Sequence, residues 1–188
     1  MGAPSGDVRT FSVETTTAIL LRKTKLTETS LIVTWLTRDF GKLKTVAKGA
    51  RQAKSRFAGV LDLFYRCEIG LVRSTRSELH ALREATLLEP YENLRFDYPR
   101  TALAGYFVEL LDGVTEADHP VEELYDLLQR ALAHLHEKPA SERALLHFEA
   151  ELARLLGIAQ PGIAAALALT RAHHALPKAR GDLLKRLA

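Results

Sequence analysis

One cysteine, Cys67, is all that the chain of 188 residues contains. A lone thiol closes no internal disulfide, which excludes a disulfide-stapled secreted scaffold. Cys67 sits in the apolar run of residues 63–72 and reads as a small core residue rather than a nucleophile. No apolar stretch approaches the ~18 residues of a membrane span, so no membrane association is expected. Residues 1–7 combine Pro, Gly and Ser without an apolar segment, which does not fit a signal peptide. Residues 1–14 are expected to be a disordered tail, and the location cytoplasmic. Nor is there a phosphate loop, a dinucleotide fingerprint or a nucleophile elbow. None of the 7 histidines has the i, i+4 spacing that sets two ligands on one helix face. On a helix His134 and His136 would point about 200° apart, and His173 and His174 about 100°. No catalytic residue, metal site or cofactor is therefore assigned, and the protein is expected not to be an enzyme.

Positive charge is present, and it is concentrated. The net charge is only +3, yet residues 1–86 carry 15 Lys and Arg against 8 Asp and Glu, while residues 87–188 carry 11 against 15. A basic half joined to an acidic half suggests two modules with different partners. Residues 40–61 hold six cations, Lys42, Lys44, Lys48, Arg51, Lys54 and Arg56, and no carboxylate. Three glycines, Gly41, Gly49 and Gly59, loosen this run. A basic strand and loop suit a phosphate backbone, because each phosphate neutralised releases counterions. The bland alternative is a solvated loop. Phe40 and Phe57 flank the run and are the best candidates for stacking on bases, with core packing the favoured alternative for each.

Five closely spaced strands are predicted in the first half: residues 15–22, 30–37, 42–48, 61–72 and 78–88. Short strands at this spacing, with turn residues between them, suit a small barrel. With a basic surface, the OB-fold is the natural candidate for single-stranded nucleic acid. The second half changes to helical period. Leu103, Phe107, Leu110, Leu111 and Val114 form one stripe; Leu124, Leu127, Leu128, Ala131, Leu132 and Leu135 a second; Leu145, Phe148, Leu152, Leu155 and Leu156 a third. Ser141 is placed to cap the third helix, and Gly157 to end it. Further helices are predicted over 163–175 and 181–187. The fold class is thus α+β: a disordered tail at 1–14, a five-stranded OB-fold barrel at 15–89 and an all-α domain at 90–188, with the hinge at Glu89–Asn93.

Several segments resemble the bacterial recombination mediator family RecO. They are Ala18–Arg22, Glu28–Thr34, Leu36–Lys42, Val46–Arg51 and Lys54–Gly59, in matching order and spacing. The Val-Ala-Lys-Gly-Ala-Arg step followed closely by Lys-Ser-Arg is the most specific. Leu82–Tyr91 resembles the end of that family's barrel, and the segments 104–110 and 148–152 resemble its helices more loosely. The resemblance implies an OB-fold followed by helices. It also implies binding to single- and double-stranded DNA, annealing of complementary strands, recombinase loading in DNA repair, and nucleoid association. The partners it implies are a RecR-like mediator and the acidic tail of single-strand-binding protein. Many family members carry a four-cysteine zinc site after a Leu-Gly-x-x-Pro segment. Here Leu156–Pro161 is followed by Ile163-Ala164-Ala165-Ala166, and a single cysteine rules that site out.

On this reading Lys42, Lys44, Lys48, Arg51, Lys54 and Arg56 contact DNA, with Lys23, Lys25 and Arg38 close by. Arg130, Arg143 and Arg154 are the cations available on the amphipathic helices for an acidic partner tail. The alternative is a protein–protein adaptor that docks through its acidic helical half and has no significant DNA role.

Overall fold

The computed structural model describes residues 12–173 and 176–187, so most of the expected N-terminal tail, and residues 174 and 175 of the helix expected over 163–175, lie outside the described residues. Five strands, β1 (Glu14–Lys25), β2 (Leu31–Thr37), β3 (Gly41–Ala47), β4 (Arg66–Val72) and β5 (Leu79–Glu89), close a barrel in the order β1-β2-β3-β5-β4. Within the barrel β3 and β5 pair parallel, and the other four strand pairs are antiparallel. This is the OB-fold expected from the sequence. Among the described residues six helices follow: α1 (Asn93–Phe96), α2 (Tyr98–Val114), α3 (Glu122–Glu137), α4 (Glu142–Leu155), α5 (Ala165–His173) and α6 (Arg180–Leu187). Among the described residues no helix is long and apolar enough to cross a membrane.

β3 shows the alternation of a strand with one buried face. Gly41, Leu43, Thr45 and Ala47 are buried, while Lys42, Lys44 and Val46 are half-buried. β1 does not alternate, because Ala18, Ile19, Leu20 and Leu21 are all buried. Ala18 and Leu20 point into the barrel with Val33, Trp35, Leu43, Cys67, Ile69 and Leu71. Ile19 and Leu21 point the other way, into a second core with Phe107, Leu111, Leu128 and Phe148. A strand covered on both faces reads as an unbroken apolar run. Inside the barrel the Trp35 indole Nε1 donates to Thr45 Oγ1 at 2.9 Å, which satisfies a buried donor.

The expected fourth strand, residues 61–72, is shorter than the sequence suggests. β4 starts at Arg66, and residues 48–65 form successive turns and bends. Phe64 takes φ +68°, a left-handed conformation that interrupts a strand. Its N–H still donates to Leu20 O, and Leu20 N–H donates to Tyr65 O, both at 3.0 Å, so the chain touches β1 before the ladder begins. α1 was not expected, being a single turn ended by Asp97, whose carboxylate accepts from Arg100 N–H and caps α2. Ser141 caps α4 by accepting from Ala144 N–H at 3.2 Å, and Gly157 follows that helix at φ +70°, both as expected.

The barrel is laced to the helices by the connector between α2 and α3. Asp118 N–H donates to Lys42 O at 2.9 Å. A Cβ on Gly41 would lie 2.3 Å from His119 O, so no larger residue fits there, and its φ of +68° favours glycine independently. Deeper in the helical core, Glu149 is 1% exposed. It accepts from the Tyr106 hydroxyl and from the Arg180 guanidinium, which joins α6 to α2 and α4.

Candidate nucleic-acid interface

The basic segment becomes a strand followed by a clamped turn. β3 ends at Ala47, and Gly49 turns the chain at φ +71°. Short backbone bonds then build one turn after another: Gln52 N–H to Gly49 O at 3.1 Å, Ser55 N–H to Gln52 O at 3.1 Å, and Ala58 N–H to Ser55 O at 3.1 Å. Arg51 ties this turn to the β1–β2 hairpin. Its backbone N–H donates to Thr29 O at 3.0 Å, and its Nη1 donates to Glu28 O at 2.9 Å and Thr27 O at 3.2 Å. The far end is anchored by Phe57, which is 3% exposed and part of the barrel core.

Of the two roles open to Phe57, its burial among the barrel residues supports core packing; the Arg56 guanidinium sits 4.9 Å from its ring centroid. Phe40 is half-buried, and the Arg73 guanidinium lies 4.6 Å from its ring centroid, over one face.

The nine cations assigned to DNA divide into two groups. Lys48, Lys54 and Arg56 are exposed and Lys44 is half-buried, and among the described residues none of the four forms an ion pair with a carboxylate. Arg51 is half-exposed, with donors left over after its two carbonyl contacts. The other four are engaged by the fold. Lys23 Nζ donates to Asp62 Oδ1 at 2.7 Å and to Leu61 O at 3.0 Å. Lys42 is 16% exposed and donates to Asp112 O at 2.6 Å and Asp112 Oδ1 at 3.1 Å. Arg38 holds Glu122 at the start of α3, Nε to Oε1 at 2.8 Å. Lys25 pairs with Glu28 at 2.5 Å. Glu28, 85% exposed at the hairpin, also lies 3.9 Å from Arg51. The sequence reading did not bring this carboxylate to the basic turn, although its i, i+3 spacing from Lys25 across a tight hairpin is a signal for it.

Asp62 gathers the end of this loop. Burial works against its carboxylate, but Lys23, the Leu63 N–H and Arg95 outweigh it and hold the group below the ordinary carboxylate range. Arg95 Nη2 reaches Asp62 Oδ2 at 2.5 Å, and its guanidinium lies 4.5 Å over the Tyr65 ring.

A second surface lies between α3 and α4. A cleft of about 870 Å³ is floored by Phe107, Leu127 and Phe148. Arg130 and Arg143 stand on its walls with Lys138 and His147. Phe107 and Phe148 stack at 4.0 Å, which gives the floor a rigid aromatic step. Arg154, the third cation named for this role, is outside the lining and pairs with Glu151 at 2.9 Å.

Two family descriptions match the chain. That for "Recombination protein O N terminal" covers residues 11–91, and that for "Recombination protein O C terminal" covers 95–161. The chain is similar to the DNA repair protein RecO of Syntrophus aciditrophicus, 33% identical over 152 residues, 81% of this chain and 59% of the relative. It is similar to the protein of that name from Rhodopirellula baltica, 36% identical over 140 residues, 74% of this chain and 52% of the relative. For the protein from Myxococcus xanthus the identity is 37% over 132 residues, 70% of this chain and 54% of the relative. The chain therefore spans a little over half the length of these curated relatives.

Proposed function

This chain belongs to the RecO family of DNA repair proteins, and from that premise we propose that it is a non-catalytic DNA-binding mediator of recombination. It binds single- and double-stranded DNA through the barrel, anneals complementary strands, and helps load recombinase together with a RecR-like mediator. The observation that supports this most is the clamped turn. Lys44, Lys48, Lys54 and Arg56 lack carboxylate partners among the described residues, and Arg51 and Phe57 fix the backbone that carries them. A preformed, unneutralised basic surface gives up little conformational entropy on meeting a phosphate chain. Phosphate contacts position a strand without reading its sequence, so binding is nearly sequence-independent.

Five cations imply a log–log salt slope of roughly −3.5 on single strands, at ~0.7 per neutralised phosphate. The test is anisotropy of a labelled oligothymidylate across a salt series, alongside strand annealing. Replacing Lys48, Lys54 and Arg56 with Ala should flatten the slope by roughly two units and reduce annealing, with the thermal transition retained. A folded triple variant with an unchanged slope would remove this surface from the proposal.

The α3–α4 cleft fits the acidic, apolar-ended tail of single-strand-binding protein. Its aromatic floor takes an apolar end group, while Arg130 and Arg143 meet carboxylates.

A further inference from the structure

Phe96 and Tyr98 are the most exposed large aromatic side chains among the described residues, at 85% and 65%. They flank Asp97, which caps α2, so the break between α1 and α2 presents both rings outside the helical core. Neither ring belongs to either apolar core. Tyr98 is met instead by a cation: the Arg186 guanidinium of α6 lies 5.4 Å from its centroid. Arg95, beside Phe96, is itself stacked over Tyr65. Lys185 adds an exposed ammonium next to Arg186, with Asp182 3.9 Å away from it.

We infer that Phe96 and Tyr98, with Arg186, form a base-stacking platform for single-stranded nucleic acid, separate from the basic turn. The inference rests on the DNA reading of the barrel. Exposed rings accompanied by arginines suit nucleobases, since every base offers a π-face and the guanidinium serves both as a stacking plane and as a phosphate partner. The platform is joined to the proposed phosphate surface. The loop that carries Lys54 and Arg56 runs on to Asp62, which holds Arg95, the residue before Phe96. Arg95 thus ties the end of that loop to the segment that carries the two rings. Duplex DNA keeps its bases stacked inside, so the platform selects single strands.

The test compares the full chain with Phe96→Ala/Tyr98→Ala and with Phe96→Leu/Tyr98→Leu, using a labelled oligothymidylate and a labelled duplex. Stacking contributes about 1 kcal/mol or more per base, so the alanine variant should bind the single strand at least fivefold more weakly. The salt slope should not change, because no phosphate contact is lost, and duplex binding should stay at the wild-type level. The leucine variant should fail like the alanine variant, since it keeps apolar area but has no π-face. Both variants should melt as wild type does, because the rings are exposed.

Single-strand affinity equal to wild type would overturn the platform and leave the barrel reading standing. Recovery of binding by the leucine variant would assign the patch to apolar docking instead. Equal losses on single strand and duplex would show that the rings act through something other than stacking. A wild-type chain with no salt-dependent binding would remove the barrel reading and the platform together.

Discussion

Arg180 grips both carboxylate oxygens of Glu149, Nε to Oε1 at 2.6 Å and Nη2 to Oε2 at 2.9 Å. The two residues are on α6 and α4, and the carboxylate has almost no contact with water. The Tyr106 hydroxyl donates to the same carboxylate; its own ionisation is pushed up, by burial first and then by Glu149.

Removing the guanidinium would strand a buried negative charge. Arg180→Met is expected to cost about 3–5 kcal/mol, read as a lowered denaturant midpoint. Glu149→Gln in that background should recover most of the loss, because a neutral amide needs no counter-charge and still meets Tyr106. If Arg180→Met unfolds at the wild-type midpoint, this pair does not hold α6 in place.

Cys67 gives a pH-dependent prediction. Burial pushes its thiol up to about 12, with Arg66 only partly opposing. The unfolded thiol ionises near pH ~8.5, so the unfolded state sheds a proton that the folded state keeps. This contribution to stability is complete below pH ~8.5 and is lost as pH rises toward 12. Stability should fall over that window, and Cys67→Ala should flatten the fall. Thiol labelling at pH 8.5 should be negligible in the native protein and rapid in denaturant; quick labelling of the native protein would contradict it.

Glu28 sets a brake on the proposed DNA surface. It occupies Lys25 and sits beside Arg51. Glu28→Gln should tighten single-strand binding a few-fold at low salt and steepen the salt slope by roughly 0.7, as Lys25 gains a phosphate. Weaker binding by this variant would mean that the hairpin faces away from the nucleic acid.

The α3–α4 cleft can be checked with an acidic peptide ending in an apolar residue. Arg130→Ala/Arg143→Ala should weaken its binding about tenfold or more, since each substitution removes a charge-assisted contact. Arg154→Ala should weaken it less than either of the other two arginines, and only indirectly: Arg154 stands outside the cleft, but its partner Glu151 lines it and would lose its counter-charge. Equal effects from Arg154 and Arg143 would place the peptide elsewhere.

Local signals carried most of the fold. The closely spaced apolar strands, the switch to helical period after residue 100 and the capping roles of Ser141 and Gly157 depend on neighbours in the chain. The fourth strand reads too long because Leu61, Leu63 and Phe64 are apolar, while the left-handed turn at Phe64 leaves no trace in hydropathy. Charge was legible as composition but not as availability. Lys23 is answered by Asp62, Lys42 by Asp112 and Arg38 by Glu122, partners 39, 70 and 84 residues away. Phe57 leaves two roles open for a related reason: an aromatic at the edge of a basic loop can stack on a base or anchor the loop to a core, and only its burial favours the core. Arg130 and Arg143 face one cleft because α3 and α4 pack against each other, a relation that spacing along one helix does not express.

β1 is a party wall. Its alternate residues serve two interiors, Ala18 and Leu20 on the barrel side, Ile19 and Leu21 on the helical side. Leu36 and Phe64 extend the helical side across neighbouring parts of the barrel. A barrel cut away after β5 would turn these four apolar side chains out to water. Neither half is then an independent tenant: the fragment ending at Glu89 would self-associate rather than stand alone, and the intact chain would lose barrel and helices together in one unfolding transition.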